Sequence, residues 1–455
     1  MTKRINTHEL LNEYHSRRGY PEIAKYAAGL IAEFGNDPAR ILEAVEREFG
    51  KDTSPAYRDV PVPIATFGEV GGLIPENAYD QMEVCARIPP AISAALMPDA
   101  HKGYGLPIGG VIKTENAISP GYIGFDISCM VMLTVYDIPA AKFISKREMF
   151  ADYLVASTNF GVGKEYTMRR EHAVMDSEQW NVARKVKVLQ DLANRQLGTS
   201  GGGNHFADLV VISNIASSSM TPEYIPMDPR TKRIGLLTHS GSRGTGHKLA
   251  THYTKMAETE TKATTRNVPK GHGWLRMDTD AGKEYWEAMQ LMGAYALANH
   301  EIIHSTFARS SGLGVAGTIF NRHNFAWKVD GNNYVHRKGA TPAHKDEIGL
   351  VPGTSGSPSY LTRGLGNPDA LFSSAHGAGR PHSRTEAKRV HSEAKFKKHM
   401  TDKNISYHGV ASDETIQAYK DIEDVMLVQD GILVERVARL EPQVVIMGGR
   451  ADDGD

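Results

Sequence analysis

Short β-rich runs bordered by loops of glycine, serine and a single histidine recur along most of this chain. FADLVVI follows the glycines of GTSGGGNH, RIGLLTHSG runs into SRGTGH, and FSSAHGAGR sets His376 among residues with almost no side chain. GGVI and MVMLTVYDI are further β-rich runs. Such a pattern dictates sheets joined by tight turns, with the chemistry carried on loops. It excludes a helical bundle, although one long helical stretch, EYWEAMQLMGAYALANHEIIHSTFA, interrupts it. The expected fold class is α+β: central β-sheets flanked by helices, with a loop-built site.

Residues 1–60 read apart from this pattern, as an N-terminal helical extension and linker ahead of a body over 61–455. PEIAKYAAGLIAEFG places Ile23, Ala27, Leu30, Ile31 and Phe34 on one helical face. A second helix follows, with Asp37 at the N-cap, Pro38 at the first helical position and Gly50 past its end. KDTSPAYRDV reads as the linker. At 455 residues and 40% hydrophobic composition, the chain can bury one large core or two.

The two cysteines, Cys85 and Cys129, build no disulfide framework, so a reducing, cytoplasmic setting is expected. MTKRINTHELLNEYH lacks the apolar core of a signal peptide, and no apolar run approaches the length of a membrane span. A formal net charge of −1 argues against a general nucleic-acid coat, while leaving room for a local basic groove. There is no Walker A motif and no GxGxxG opening a strand–helix unit.

GFDISC sets Asp126 three residues before Cys129. A carboxylate and a thiolate so close suit a borderline first-row ion; a buried strand cysteine is the alternative. His205 with Asn204, His239, and His323 with Asn324 sit in comparable loops and, with Asp126 and Cys129, would furnish one or two metal sites. The loops VPGTSGSPSY and HSGSRGTGH present backbone N–H groups and hydroxyls to anions, and Arg243 and Arg380 sit in small-residue loops where a guanidinium pairs well with phosphate. Ordinary turns are the alternative. In SRTEAKRVHSEAKFKKHM, a continuous helix would align Arg384, Lys388, His391, Lys395 and Lys398 as a basic stripe. A solvated helix face is the plainer reading.

The motifs MPDAHKGYGLPIGGVI, SPGYIGFDISC, LGTSGGGNHF, THSGSRGTGH, HNFAWKV, VHRKGAT, PGTSGSPSY and SSAHGAGR occur in the order found in RtcB-type RNA ligases. The ending ARLEPQVVIMG also resembles that family, and the likeness runs over roughly 61–448. It implies an RtcB-like fold and a GTP- and Mn-dependent RNA ligase with two Mn2+ ions. Such enzymes join 2′,3′-cyclic phosphate or 3′-phosphate ends to 5′-hydroxyl ends, in RNA repair or tRNA splicing, and often turn over with help from the activator Archease. By the resemblance, His376 takes GMP covalently and Asp99 orients it, while Asp126, Cys129, His205, His239 and His323 bind metal. Asn204, His205, Asp208, His323, Asn324, Pro352, Gly353, Thr354, Ser355, Ser359, His376, Gly377, Ala378 and Gly379 match nucleotide-contacting positions. RNA would track along Arg384, Lys388, Lys395 and Lys398. The rival readings are a metal-dependent nucleotidyltransferase that does not seal and a non-catalytic RNA-binding relative.

Three departures from the family pattern stand out. Met447 occupies the place of a C-terminal lysine that lies at the guanine. Asp208 replaces a base-reading Glu. Met130, Val131 and Met132 follow Cys129, where Gly-Val-Arg is common. Weaker preference for GTP over ATP is the expectation.

Overall fold

The computed structural model describes residues 6, 10, 11, 14, 20–35, 37–50, 55–214 and 232–449. The helical pair forms as its sequence dictates, over Tyr20–Phe34 and Pro38–Phe49. Asp37 accepts from the N–H of Ala39 at 3.1 Å and of Arg40 at 3.2 Å, a cap worth about 1 kcal/mol. Ile23, Ala27 and Leu30 bury against Ile41, Ala44 and Val45 in a small core of their own. Ile31 and Phe34, expected on the same face, are only half buried. The linker expected over 51–60 is described from residue 55. There it is already fastened to the body: the Tyr57 N–H donates to the Arg266 carbonyl at 2.9 Å, and Arg266 returns a bond to Pro55 at 2.8 Å.

Two sheets organise the rest. The smaller has five strands in the order Ile64–Thr66, Ala91–His101, Ile108–Glu115, Asn333–Lys338 and Asn324–Lys328. The larger runs Ile348–Val351, Ser359–Gly364, Val434–Met447, Phe206–Asn214, Arg233–Ser240, Met130–Pro139 and Val315–Arg322, with Ser406–His408 beside Val434–Met447. Its two ends nearly meet. The Asn321 amide donates to the Leu350 carbonyl at 3.2 Å and accepts from the Leu350 N–H at 3.0 Å, as a neighbouring strand's backbone would. Inside this curl, Val131, Leu133, Val210, Leu237, Leu361 and Leu440 form one apolar core.

Helices cover the outer surface. The longest, Asp280–Ser311, has 32 residues, begins on the Thr279 cap and ends at Gly312 in the left-handed region. It buries Tyr285, Met289, Met292 and Tyr295 against Trp180, whose indole N–H donates to the Val174 carbonyl at 2.9 Å. Each large apolar side chain so buried contributes about 1.5–3 kcal/mol over an exposed one. Among the described residues no helix is long and apolar enough to cross a membrane.

The continuous helix on which a basic stripe over 383–400 would depend is broken into two, Arg384–Val390 and Glu393–Asp402. The break has a local cause. His391 leaves the helical region, and the Ser392 hydroxyl accepts from the Lys395 N–H at 3.4 Å, starting a new helix. The five basic positions therefore do not share one continuous face.

Candidate metal and nucleotide site

Strand pairing alone assembles the histidine cluster. His239 lies opposite Val131 on one side and Phe206 on the other, and Arg322 lies opposite Met130. His205, Cys129 and His323 are therefore carried to one rim of the large sheet. The loop before Cys129 turns through Ser128, at φ 59°, whose N–H donates to the Asn324 carbonyl at 2.7 Å. Asp126 is held by the Ser242 N–H at 3.0 Å. Gly241 must be glycine, because a Cβ there would collide with the Asp126 carboxylate.

Cys129 stands at the centre. Its Sγ is 3.0 Å from His239 Nε2 and 3.5 Å from His205 Nε2. His239 Nε2 lies 3.0 Å from His323 Nε2, and His205 Nε2 lies 2.9 Å from Asp126 Oδ2. Two donor groups result, Cys129–His239–His323 and Asp126–Cys129–His205, sharing the thiol. Burial, reinforced by neighbouring imidazoles, pushes His239 and His323 well below the ordinary histidine range, so both are neutral. The His239 Nδ1–H donates to the Asn204 carbonyl at 3.0 Å, leaving Nε2 with its lone pair toward the cluster. Burial works to raise the Asp126 carboxyl, but its hydrogen bond to His205 and the Arg243 charge outweigh that, leaving it at about 2. A thiol, three imidazoles and an ionised carboxylate, converging with little to donate, fit a borderline divalent ion.

Beside this cluster a cleft of about 300 Å3 opens. His376 reaches into it, with its ring centroid 4.9 Å from that of His323. Asp99, fully buried, holds His376 from behind: Oδ2 lies 2.6 Å from His376 Nδ1 and accepts the N–H of His376 at 3.1 Å and of Gly377 at 3.2 Å. Gly379, at φ 72°, packs on the Asp99 main chain, where any Cβ would collide. Asn204, Asp208, the loop Pro352 to Ser355, Ser359, and Gly377, Ala378 and Gly379 line the same cleft, as does Met447.

Asn324 does not line the cleft; its amide bonds the Asp126 carbonyl at 3.3 Å and the Gly339 N–H at 2.9 Å. Of the basic residues expected to meet RNA, Arg384 lines the cleft but is tied to Glu414 and, at 3.1 Å, to Asp413. Lys398 pairs with Asp402 at 2.7 Å. Lys395 is exposed on the second helix, and Lys388 lies on the first. Arg380 donates to the Asp413 carbonyl at 2.7 Å and to Glu414 at 3.2 Å, and Arg243 lies 3.1 Å from His205 Nδ1. Both guanidiniums thus brace loops of the site. The cleft also takes Lys102, Phe206, His382 and Tyr419, which no spacing argument singled out. Lys102 was within reach, since it follows His101 in the MPDAHKGYG motif.

Known proteins place this arrangement in a class of RNA-joining enzymes. The family model described as tRNA-splicing ligase RtcB matches residues 81–448, and the chain belongs to the RtcB family. It is 29% identical to the tRNA-splicing ligase RtcB of Methanococcus maripaludis, over 82% of this chain and 92% of that protein. The RNA-splicing ligase RtcB of Mycobacterium tuberculosis is 30% identical, over 80% of this chain and 99% of its own length. That of Escherichia coli K12 is 28% identical, over 78% and 90%.

Proposed function

We propose that this protein is an RNA ligase that uses GTP and two Mn2+ ions to join a 3′-phosphate or 2′,3′-cyclic phosphate end to a 5′-hydroxyl end, through a GMP carried on His376. The observation that carries this reading is the His376–Asp99 pair. A carboxylate oxygen at 2.6 Å from Nδ1, fixed by two further backbone donors, keeps the imidazole proton on Nδ1. In the neutral ring this makes Nε2 the oriented nitrogen that carries the lone pair.

From there the chemistry follows. Nε2 attacks the α-phosphorus of GTP, and the phosphorus–oxygen bond to the β-phosphate breaks, releasing pyrophosphate. An oxygen of the RNA 3′-phosphate then takes the GMP, which returns His376. The 5′-hydroxyl attacks the activated phosphorus and GMP leaves. A cyclic phosphate is first opened by water. Asp126, Cys129 and His205 would hold one ion and Cys129, His239 and His323 the other. Bound manganese would neutralise phosphate oxygens as charge moves. The loop Pro352 to Ser355 and Asn204 would face the nucleotide, and Asp208 and Met447 its base.

Intact mass after incubation with GTP and manganese tests the central step. One GMP should be added through an acid-labile, base-stable bond. His376→Ala should reduce adduct formation by at least about 10^4-fold, the scale of losing a covalent nucleophile. An adduct persisting in that variant would move the nucleophile elsewhere. Sealed product from a cyclic-phosphate RNA separates a ligase from a nucleotidyltransferase that stops short.

A further inference from the structure

Three exposed rings form a row outside the cleft. Tyr104 is 51% exposed and Phe125 36%, and His247 is exposed as well. Phe125 stacks on His247 with centroids 5.2 Å and planes 28° apart. Tyr104 leans on Phe125 at 5.6 Å and 42°. The rings come from three separate segments: the loop after Ala91–His101, the turn after the short helix Pro120–Ile123, and the second turn of Arg243–Thr264. Aromatic faces gathered in water from distant segments are an expense that a fold sustains for a ligand.

The row is braced from beneath. Lys338 is buried, and its ammonium donates to the carbonyl of Tyr104 and, at 3.4 Å, to that of Gly121. One lysine thereby ties together the two segments that carry Tyr104 and Phe125. Gly124, at φ 98°, lets the chain cross the Lys338 stem, which would stand 3.2 Å from a Cβ at that position.

Its position is informative. Phe125 directly precedes Asp126 of the donor cluster. His247 lies one helical turn beyond Arg243, which contacts His205. Lys102, next but one to Tyr104, is exposed and lines the cleft; Lys248, next to His247, is exposed at the other end. Flat π faces flanked by cations suit a nucleobase and its backbone phosphates better than an aliphatic protein surface.

We propose that Tyr104, Phe125 and His247 form a stacking platform for a nucleobase of the RNA strand, close to the break being sealed. This rests on the RNA-ligase reading above. The outer faces of Tyr104 and His247 are the open ends of the stack, and Lys102 and Lys248 meet the adjoining phosphates.

The test is fluorescence anisotropy with a single-stranded RNA bearing a 3′-phosphate, and with the same strand made abasic at its last two nucleotides. Wild-type protein should bind the intact strand on the order of tenfold more tightly than the abasic one, the scale of a single base–aromatic stack. A Tyr104→Ala/His247→Ala protein should bind the intact strand as weakly as wild type binds the abasic one, and lose nothing further on the abasic strand. Tyr104→Phe should restore the Tyr104 share. The Lys338 bond is to a main-chain carbonyl, so these variants keep the brace. Equal loss on both strands, or undiminished affinity for the intact strand, would overturn the platform. Wild-type protein that binds both strands tightly and equally overturns the platform alone. Wild-type protein that binds neither strand, and seals none, overturns the ligase reading.

Discussion

Two buried clusters in this molecule set a cysteine beside histidine, and they obey opposite rules. Around Cys85, donors meet acceptors. Its thiol donates to the Gly105 carbonyl at 3.4 Å, Tyr122 Oη lies 3.0 Å from His272 Nδ1, and Lys338 reaches main-chain carbonyls. Burial pushes the Cys85 thiol up to about 12, so it stays protonated. Around Cys129 the match is incomplete: His323 Nδ1 has no partner, so one ring nitrogen of His323 stays unmatched in either tautomer. Two neutral imidazole nitrogens stand 3.0 Å apart, with the sulfur 3.0 Å from one of them. Nothing but a shared proton or a cation makes that arrangement favourable. A matched polar cluster is complete in itself; an unmatched one is built for something that binds.

The largest expected effect follows from that contrast. Cys129→Ala should strip manganese from both positions, since both donor groups use the one sulfur. Adduct formation should fall by more than the roughly 10–100-fold typical of losing a mere hydrogen-bond partner of a ligand. The metal-free variant should melt within a few degrees of metal-free wild type, since only a small thiol and its hydrogen bonds are lost. Elemental analysis and calorimetry read both effects. Two manganese ions retained at limiting metal would show that the shared-thiol arrangement is wrong.

Asp208 sharpens the rule within the cleft, and its effect should be smaller. It is buried and lines the cleft, and Oδ1 has no hydrogen-bond partner. Burial pushes its carboxyl well above the ordinary range. An ionised carboxylate accepts from guanine N1–H and N2–H, whereas a protonated one donates to adenine N1 and accepts from its amino group. A raised value means the neutral form persists to higher pH than usual and gives way as pH climbs. Preference for GTP over ATP should therefore grow as pH rises and the carboxyl ionises. Met447, in the same cleft, offers no donor. Met447→Lys should raise the preference by about tenfold, the worth of one hydrogen bond to a charged group, and flatten its pH dependence by favouring the carboxylate. Competing the two nucleotides for the adduct measures this. A ratio indifferent to both pH and the substitution would take the pair out of base recognition.

What could be read from the sequence follows the range of the interactions involved. Asp37 caps its own helix, and the β-runs beside the glycine loops became strands, because those signals act within a few residues. The metal candidates were legible as loop residues of one chemical kind, but only the pairing of Met130–Pro139 with its neighbours puts them together. Asp99 carried no local signal; it was named through the family likeness, and its bond to His376 spans 277 residues. The small residues around His376 are plain in the sequence as a loop with almost no side chain. For Gly379 the structure supplies a reason, the Asp99 main chain against it. The basic segment shows both ranges: a local serine cap starts its second helix, while its partners are remote, since Asp413 and Glu414 bind Arg384 and the Gln417 amide oxygen accepts from the Ser392 N–H at 3.0 Å.

Cys85 should show the smallest effect, and it is the sharpest control on the contrast. In CARIPP it reads as ordinary packing. The structure adds a donor bond and a histidine 3.7 Å away. Cys85→Ala removes the sulfur from a fully buried site, a loss near the worth of one buried methylene, about 1 kcal/mol. Two features soften it. Cys85 lies in the last turn of the helix Glu76–Ala86, where alanine is the better helix former. The Gly105 carbonyl is not orphaned either, because Gln81 Nε2 also donates to it at 2.6 Å. The Tyr122–His272 bond survives unchanged. The unfolding free energy from denaturant titration should therefore drop by about 1 kcal/mol or less, with manganese content and adduct yield at wild-type levels. If Cys85→Ala lost metal and adduct as Cys129→Ala is expected to, matched donors and acceptors would no longer distinguish a structural cluster from a binding one.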